Sequence, residues 1–525
     1  MSNRHVHSLN QGCDVGNHSR RSYSSSSNSN NSTSTTTSTS STTTSVYKDT
    51  YLNESFLRLS TLGPAFAVDS NNVEFIREPN DFYEQLIEGV KRCERRVVLS
   101  SLYLGTGKQE IRLVEELVAA CKRHPNLQVH ILLDGLRGTR KSPHDTDPTK
   151  HVSSATMLQP LLQQFPDRVV ISMFHTPNLN GILKRVLPQR INEVIGVNHI
   201  KAYVFDDNLL ISGANLSKDY FTNRQDRYAW VRSSSALAEY FSRVIGTIGD
   251  LSMKLDVSGH VRLPTGLLDP VSDSSAFKQH AQQRLSTLLQ PNVFHPINDD
   301  GSACSPTNSL EASAICNNKT WIFPTIQMGL FNIRHDEQCT SYMFESVPPT
   351  SKLYITSPYF NLTKNYLRLL LSGKPAMDII TCSPETNGFY GAKGISGVIP
   401  DSYAIIERNF LQRVKDTHNS ARIKVDEYIR SKWTYHAKGL WITAQGQAVP
   451  SVTMIGSPNF GSRSCEKDLE AQIILITEDP TLQRKMDDER AYLWTHTQPA
   501  NLELFKSRSI PLWVRIGVYL FGNFL

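Results

Sequence analysis

Apolar residues change period several times along this chain, and each change marks a new element. A short apolar run from Val73 reads as a strand. Phe82, Leu86, Ile87 and Val90 then recur at three- and four-residue intervals, which predicts a helix around Pro79–Cys93. The unbroken run RRVVLSSLYL reads as a buried strand, and Gln109–Arg123 as a second helix with Leu113, Leu117 and Ala120 on one side. Strands over Leu127–Asp134 and Arg168–Phe174 follow, and Ala236–Leu255 reads as one long helix. The alternation restarts at Thr320, with strand Leu353–Thr356, helix Lys364–Leu371, strand Met377–Cys382 and a helix around Asp401–Thr417. Helices alternating with apolar strands predict an α/β layer fold, met twice along the chain.

Three stretches depart from this pattern. Residues 1–46 are dominated by Ser, Thr and Asn with almost nothing apolar before Val46, so they cannot offset their ordering entropy and are expected to be disordered. Arg4, Arg20 and Arg21 against Asp14 give this segment the acid-poor character of a mitochondrial presequence; an untargeted low-complexity tail is the alternative. Residues 256–318 are rich in Pro, Ser, Asp and Asn and read as an irregular connection with one short helix around Ala276–Leu289. The ending IPLWVRIGVYLFGNFL is apolar, interrupted by Arg515 and too short to span a bilayer. It reads as docked on the core or as lying in a membrane interface. The chain therefore divides into residues 1–50, a first half at 51–255, a connection at 256–318, a second half at 319–500 and a C-terminal segment at 501–525.

Composition adds little to this outline. Hydrophobic content of 39% and charged content of 20% suit an ordinary globular protein, and a net charge of +6 suits an anionic substrate or membrane surface. No basic run interleaved with aromatics is present, which argues against nucleic acid as a partner. The eight cysteines contain no C-x-x-C, so neither a zinc site nor a disulfide framework is expected, and a reducing compartment is. The GTGK at 105–108 lacks the rest of a nucleotide-phosphate loop, with Leu102 and Gln109 where Gly and Ser or Thr would be needed.

Chemistry concentrates in two places. VNHIKAYVFDDNLLISGANLS at 197–217 carries His199, Lys201, Asp206, Gly213 and Asn215, and YHAKGLWIT…MIGSPNFGS carries His436, Lys438, Gly456, Ser457 and Asn459. Alternate residues of a strand share a face, so His199 and Lys201 project together, whereas Asp206 falls on the other face at a turn, which favours a structural role. Asn215 to Asp226 and Asn459 to Glu470 are both 11 residues. Histidine to asparagine is 16 residues in the first copy and 23 in the second, the excess falling in the AQGQAVP loop, where an insertion costs little. Each half thus offers a histidine, a lysine, an asparagine and a carboxylate in one order, like two halves of one active site. A carboxylate on one ring nitrogen would fix each histidine's tautomer.

The pattern H-x-K-x-x-x-x-D followed by a glycine–asparagine turn, in two copies, resembles the phospholipase D superfamily. The first copy has Ser212-Gly213-Ala214-Asn215 in its turn, and the second has Thr443 in place of the aspartate. SSLYLGTGKQE at 100–110, LLDGLRGTR at 132–140, SPYFNLT at 357–363 and YHAKGLW at 435–441 are similar to the branch that moves a phosphatidyl group from CDP-diacylglycerol to sn-glycerol 3-phosphate. The resemblance implies an α/β fold of two phospholipase D-like halves, each a mixed sheet flanked by helices, with the active site between them. It implies a two-step transfer without metal or cofactor, on the surface of the mitochondrial inner membrane. The catalytic set it implies is His199, Lys201, Asp206, His436 and Lys438, supported by Asn215, Asp226, Asn459 and Glu470. His199, in the complete motif, is the expected nucleophile and His436 the acid and base. Arg137, Arg140 and Lys184 are candidates for a substrate phosphate, with an ordinary basic surface as the alternative. Serine, phosphatidylglycerol or water as acceptor, or a lipid-binding module without catalysis, stay open on this reading.

Overall fold

The computed structural model describes residues 46–143, 149–179, 192, 195–292 and 319–521. The presequence reading, Lys184 and residues 293–318 of the connection lie outside the described residues.

Two large sheets repeat one topology. The first runs, neighbour to neighbour, Val261–Arg262, Met253–Leu255, Val169–Phe174, Gln128–Asp134, Arg96–Ser100, Ala202–Phe205, Asn208–Ser212, Tyr228–Val231 and Val73–Ile76. The second runs Thr497–Pro499, Ile423–Tyr428, Ala376–Cys382, Lys352–Thr356, Gly439–Thr443, Val452–Gly456, Glu470–Thr477, Thr320–Met328 and Phe66–Ala67. Apart from the outermost strand of each, the orders correspond strand for strand. In both sheets three strands are parallel and the histidine-bearing segment returns antiparallel beside the first of them.

Period-two alternation sorts these strands into layers. Ala202 and Val204 face a core shared with Trp441, Ile455, Ile473 and Leu475 of the second sheet, while Tyr203 and Phe205 face the outer core with Phe82, Leu86 and Leu113 of the flanking helices. Leu440, Ile442, Ile474 and Ile476 likewise face the second outer core. The strands are buried on both sides, so their sequences read as continuous apolar runs. Cys93, Cys121, Cys339, Cys382 and Cys465 are buried free thiols.

Two sequence expectations differ from what is observed. The helix expected over Ala236–Leu255 ends at Asp250, and Met253–Leu255 becomes a strand on the open edge of Val169–Phe174. Helical period alone does not reveal that an unpaired sheet edge will capture three more residues. Helix Thr50–Leu62 and strand Phe66–Ala67, which chain order groups with the first half, pack on the second: Tyr51, Phe56 and Leu59 join Trp321 and Phe323, and Phe66–Ala67 pairs with Trp321–Ile322. The C-terminal segment docks on the fold by one face of helix Leu512–Phe521 and leaves the other exposed. No helix of the described residues is long and apolar enough to cross a membrane.

Candidate active site

Both histidines sit at the C-terminal edge of the parallel strands, where open α/β sheets bind their ligands. In the first half Ser100 and Asp134 end adjacent parallel strands; Asn198, next to His199, donates its backbone N–H to the Asp134 carboxylate at 3.1 Å and its side-chain amide to Ser100 Oγ at 3.2 Å.

The two halves are stitched together at the histidines. Asn198 bridges Leu469 in parallel, the His199 N–H donating to Leu469 O at 2.8 Å. Arg224–Gln225 pairs in parallel with Thr434–Tyr435, the His436 N–H donating to Gln225 O at 2.7 Å. Each pairing delivers the next residue of the partner half as a carboxylate. His199 Nδ1 lies 2.8 Å from Glu470 Oε2, and His436 Nδ1 lies 2.6 Å from Asp226 Oδ2. The carboxylates are therefore exchanged: each histidine is held by the acid of the other half. A carboxylate on Nδ1 fixes the proton there and turns Nε2 toward the cleft as the reactive nitrogen.

The lysines are buried beneath their histidines. Lys201 Nζ donates to His199 O at 2.7 Å, and Lys438 Nζ to His436 O at 2.5 Å, with Asp226 Oδ2 3.7 Å away. Gly213 makes room for this arrangement, since a Cβ there would stand 2.7 Å from Asp226 Oδ1 and 2.9 Å from Lys438 Cδ. Asn215 and Asn459 each carry a buried side-chain oxygen without a hydrogen-bond partner. An amide left part-used in both halves suits a ligand that completes it.

Burial governs the protonation states. It pushes both imidazoles well below their usual range, with the neighbouring lysine as the second cause in each, so both are neutral near pH 7. It raises Asp226 to about 6, against the opposing pull of Lys438. Glu470 is also raised by burial and held down by Lys201. Lys438 falls to about 8 by burial, offset by Asp226, and Lys201 falls well below the ordinary ammonium range for the same first reason.

Asp206 does not belong to this cluster. Seven residues of extended chain, roughly 20 Å at about 3.3 Å per residue, separate it from His199. Its carboxylate accepts from the backbone N–H groups of Glu94, Arg95 and Arg96, each at 2.9 Å, and it holds a left-handed φ of 51° at the turn. The catalytic place implied for it by the motif is corrected to a structural one. Thr443 stands at the same register of the second sheet, opposite Lys352, so its hydroxyl is remote from the chemistry as well.

Arg137 is the middle residue of the short helix Gly135–Thr139 after strand Gln128–Asp134 and lays its guanidinium 4.3 Å over the Tyr103 ring. Arg140 caps the same helix, its N–H donating to Arg137 O at 3.3 Å. Arg430 and Lys432 line a groove of about 440 Å³ with Asn387, Tyr390 and Trp433, just before His436.

Sequence reasoning missed the tyrosines. Tyr220 OH lies 3.4 Å from His436 Nε2, and the Tyr220 and Tyr359 rings meet the His436 ring edge-on at 5.1 and 5.9 Å. Ser357-Pro358-Tyr359 and Ser101-Leu102-Tyr103 follow equivalent strands, and in each the serine hydroxyl donates to the tyrosine carbonyl, at 3.4 and 3.0 Å. That repeated S-x-Y was a usable signal. Tyr220 has no such twin: the residue five beyond Asn459 is Ser464, which donates to Glu470 Oε1 at 2.8 Å. Among the described residues no cluster of three His, Cys, Asp or Glu side chains is arranged to hold a metal ion.

A duplicated α/β fold with one histidine and one lysine from each half, buried at the seam between the halves, defines a protein of the phospholipase D class. No family model matches the chain. A phosphatidylserine synthase from Haemophilus influenzae Rd KW20 shares the fold, with a TM-score of 0.65 at 20% identity over 90% of this chain and 97% of that one. A probable CDP-diacylglycerol–glycerol-3-phosphate 3-phosphatidyltransferase of Dictyostelium discoideum is 59% identical over 92% of this chain and 82% of the relative. The mitochondrial enzymes of that name from Gallus gallus and Homo sapiens are 41% and 38% identical, each over 89% of this chain and 86% of their own length. The chain belongs to the CDP-diacylglycerol–glycerol-3-phosphate 3-phosphatidyltransferase family.

Proposed function

We propose that this chain moves the phosphatidyl group of CDP-diacylglycerol to sn-glycerol 3-phosphate, releasing CMP, as a peripheral enzyme on the mitochondrial inner membrane. The observation that carries the mechanism is the exchanged pair of carboxylates, which hold two neutral imidazoles by Nδ1 and leave Nε2 of each for the chemistry. Neutral imidazole is the nucleophilic form. His199 Nε2 attacks the phosphorus that bears diacylglycerol, the bond from that phosphorus to the CMP oxygen breaks, and a phosphatidyl-histidine remains. CMP departs as its anion, since neutral His436 carries its proton on Nδ1. His436 Nε2 then takes a proton from the 1-hydroxyl of sn-glycerol 3-phosphate as that oxygen attacks and the P–N bond breaks, restoring His199, and passes that proton on to water.

The completeness of the first motif no longer supports His199 as nucleophile, because Asp206 is structural. Two other features do. The His199 side chain is 13% exposed against 6% for His436, and His436 Nε2 has the Tyr220 hydroxyl beside it, which suits a group that trades protons. Lys201, Lys438, Asn215 and Asn459 hold the phosphoryl oxygens as charge develops. Arg137 takes the acceptor's phosphate at the rim.

Transfer of labelled sn-glycerol 3-phosphate onto CDP-diacylglycerol in detergent micelles tests this reading. Wild type should release CMP and form labelled lipid, and His199→Ala and His436→Ala should each lose at least about 10³-fold. CMP release without labelled lipid would replace the acceptor. Undiminished transfer by either variant would remove the two-histidine mechanism.

A further inference from the structure

Helix Leu512–Phe521 leaves a broad apolar face bare. Val514 is 2% exposed against the fold, whereas Leu512, Trp513, Ile516, Tyr519 and Leu520 are 71%, 62%, 52%, 89% and 61% exposed. At 3.6 residues per turn these side chains fall within an arc of roughly 120°, opposite Val514. Single exposed apolar residues are ordinary, but a contiguous stripe on one short helix marks an interaction surface.

The way this helix is mounted relates it to the active site. It packs on helix Ile399–Asp416, and the chain leading to it is fixed by Arg508, which donates to both carboxylate oxygens of buried Glu427 at 2.7 and 2.6 Å. Helix Ile399–Asp416 carries Tyr403, whose ring lies 5.2 Å from Tyr359, the ring that meets His436. The Phe389 ring also meets Tyr359, tilted at 6.2 Å, and the chain continues outward into Tyr390, itself 62% exposed. An aromatic cluster thus joins His436 to the surface at Tyr390, with Tyr403 of the helix that carries the bare face as one of its members.

We infer that this face is the surface by which the protein seats on a lipid bilayer, with the catalytic cleft opening beside it. The inference rests on the phosphatidyltransferase reading, which requires a substrate whose two acyl chains stay in a membrane. A face that lies in the interface would bring the catalytic residues to that lipid from the side. Trp513 and Tyr519 are the residue types that settle at headgroup level, and Arg515 borders the apolar arc where anionic phosphates would meet it. The face belongs in the interface plane, apolar side down.

The test uses full-length protein and phosphatidylcholine vesicles containing a minor fraction of phosphatidylglycerol. Wild type is compared with the variant Trp513→Ser, Ile516→Ser, Tyr519→Ser and Leu520→Ser combined; these side chains are exposed, so thermal melting should match wild type. The expected result is a loss of vesicle flotation of roughly tenfold or more. Turnover of vesicle-borne CDP-diacylglycerol should fall by a similar factor, while turnover of a short-chain, dispersed CDP-diacylglycerol is unchanged. Undiminished flotation of the variant would overturn the inference. So would wild type sedimenting as a dimer without lipid and the variant as a monomer, which would make this face a contact between copies. Failure of wild type to turn over the short-chain substrate would instead overturn the enzymatic reading, and flotation alone would then decide the docking face.

Discussion

Asp206 and Asp226 lie 20 residues apart in the first half, and a residue-level account separates them sharply. Asp206 accepts three backbone N–H groups at a turn, so Asp206→Ala should lower stability by about 1–3 kcal/mol while kcat stays near wild type. Asp226 and Glu470 orient the imidazoles, so Asp226→Asn and Glu470→Gln should leave the fold intact. Each should cost roughly 10³–10⁴ in kcat, the scale of amidating a triad carboxylate. Melting temperature and kcat measured on all three variants check this split. The pH profile follows from the same groups. As pH falls through about 6 Asp226 takes a proton and releases His436, and as pH rises through about 8 Lys438 loses its charge and its hold on phosphate. Since burial keeps both histidines neutral over this range, kcat/KM should be bell-shaped with limbs near 6 and 8. Lys438→Arg should remove the alkaline limb and lower the maximum, because guanidinium stays charged but does not fit the same space.

Among the elements, the short parallel bridges at Asn198–Leu469 and Arg224–Tyr435 convert two separate sheets into one site. A buried clasp backs them. Arg227, adjacent to Asp226, donates to Glu489 at 2.8 and 2.9 Å, to Met454 O at 2.7 Å and to Thr453 Oγ1 at 2.8 Å, and its guanidinium lies 3.6 Å over the Trp441 ring. Glu489→Ala should destabilise the protein by about 3–5 kcal/mol in denaturant titration, because it strands a buried charge between the halves. Replacing both partners with apolar residues should recover most of that loss. The duplicated strands and the His–Lys–Asn–carboxylate order were legible in the sequence, because strand period and spacing are local properties. The exchange of carboxylates was not: Asp226 lies 27 residues after His199 and Glu470 lies 34 after His436, and linear order fits pairing within a half equally well. Only the parallel bridges between halves decide it. Arg227 and Glu489, 262 residues apart, left no periodic trace either.

For the whole molecule, duplication explains why one active site needs the entire chain. Corresponding strands place both histidines at matching sheet edges, and face-to-face packing of the sheets closes the cleft between them. The duplication is imperfect where the two histidines must differ: Tyr220 stands at His436 where Ser464 stands near His199. The account's central claim is that the phosphatidyl group rests on His199 before it reaches the acceptor. Single-turnover reaction of His436→Ala with CDP-diacylglycerol labelled in its lipid-bearing phosphate, quenched at high pH and mapped by mass spectrometry, tests this most directly. CMP is a good enough leaving group to depart as its anion, so label should accumulate on the peptide containing His199 as an acid-labile phosphoramidate. Label on another residue, or transfer to glycerol 3-phosphate with inversion at phosphorus and no labelled protein, would contradict it.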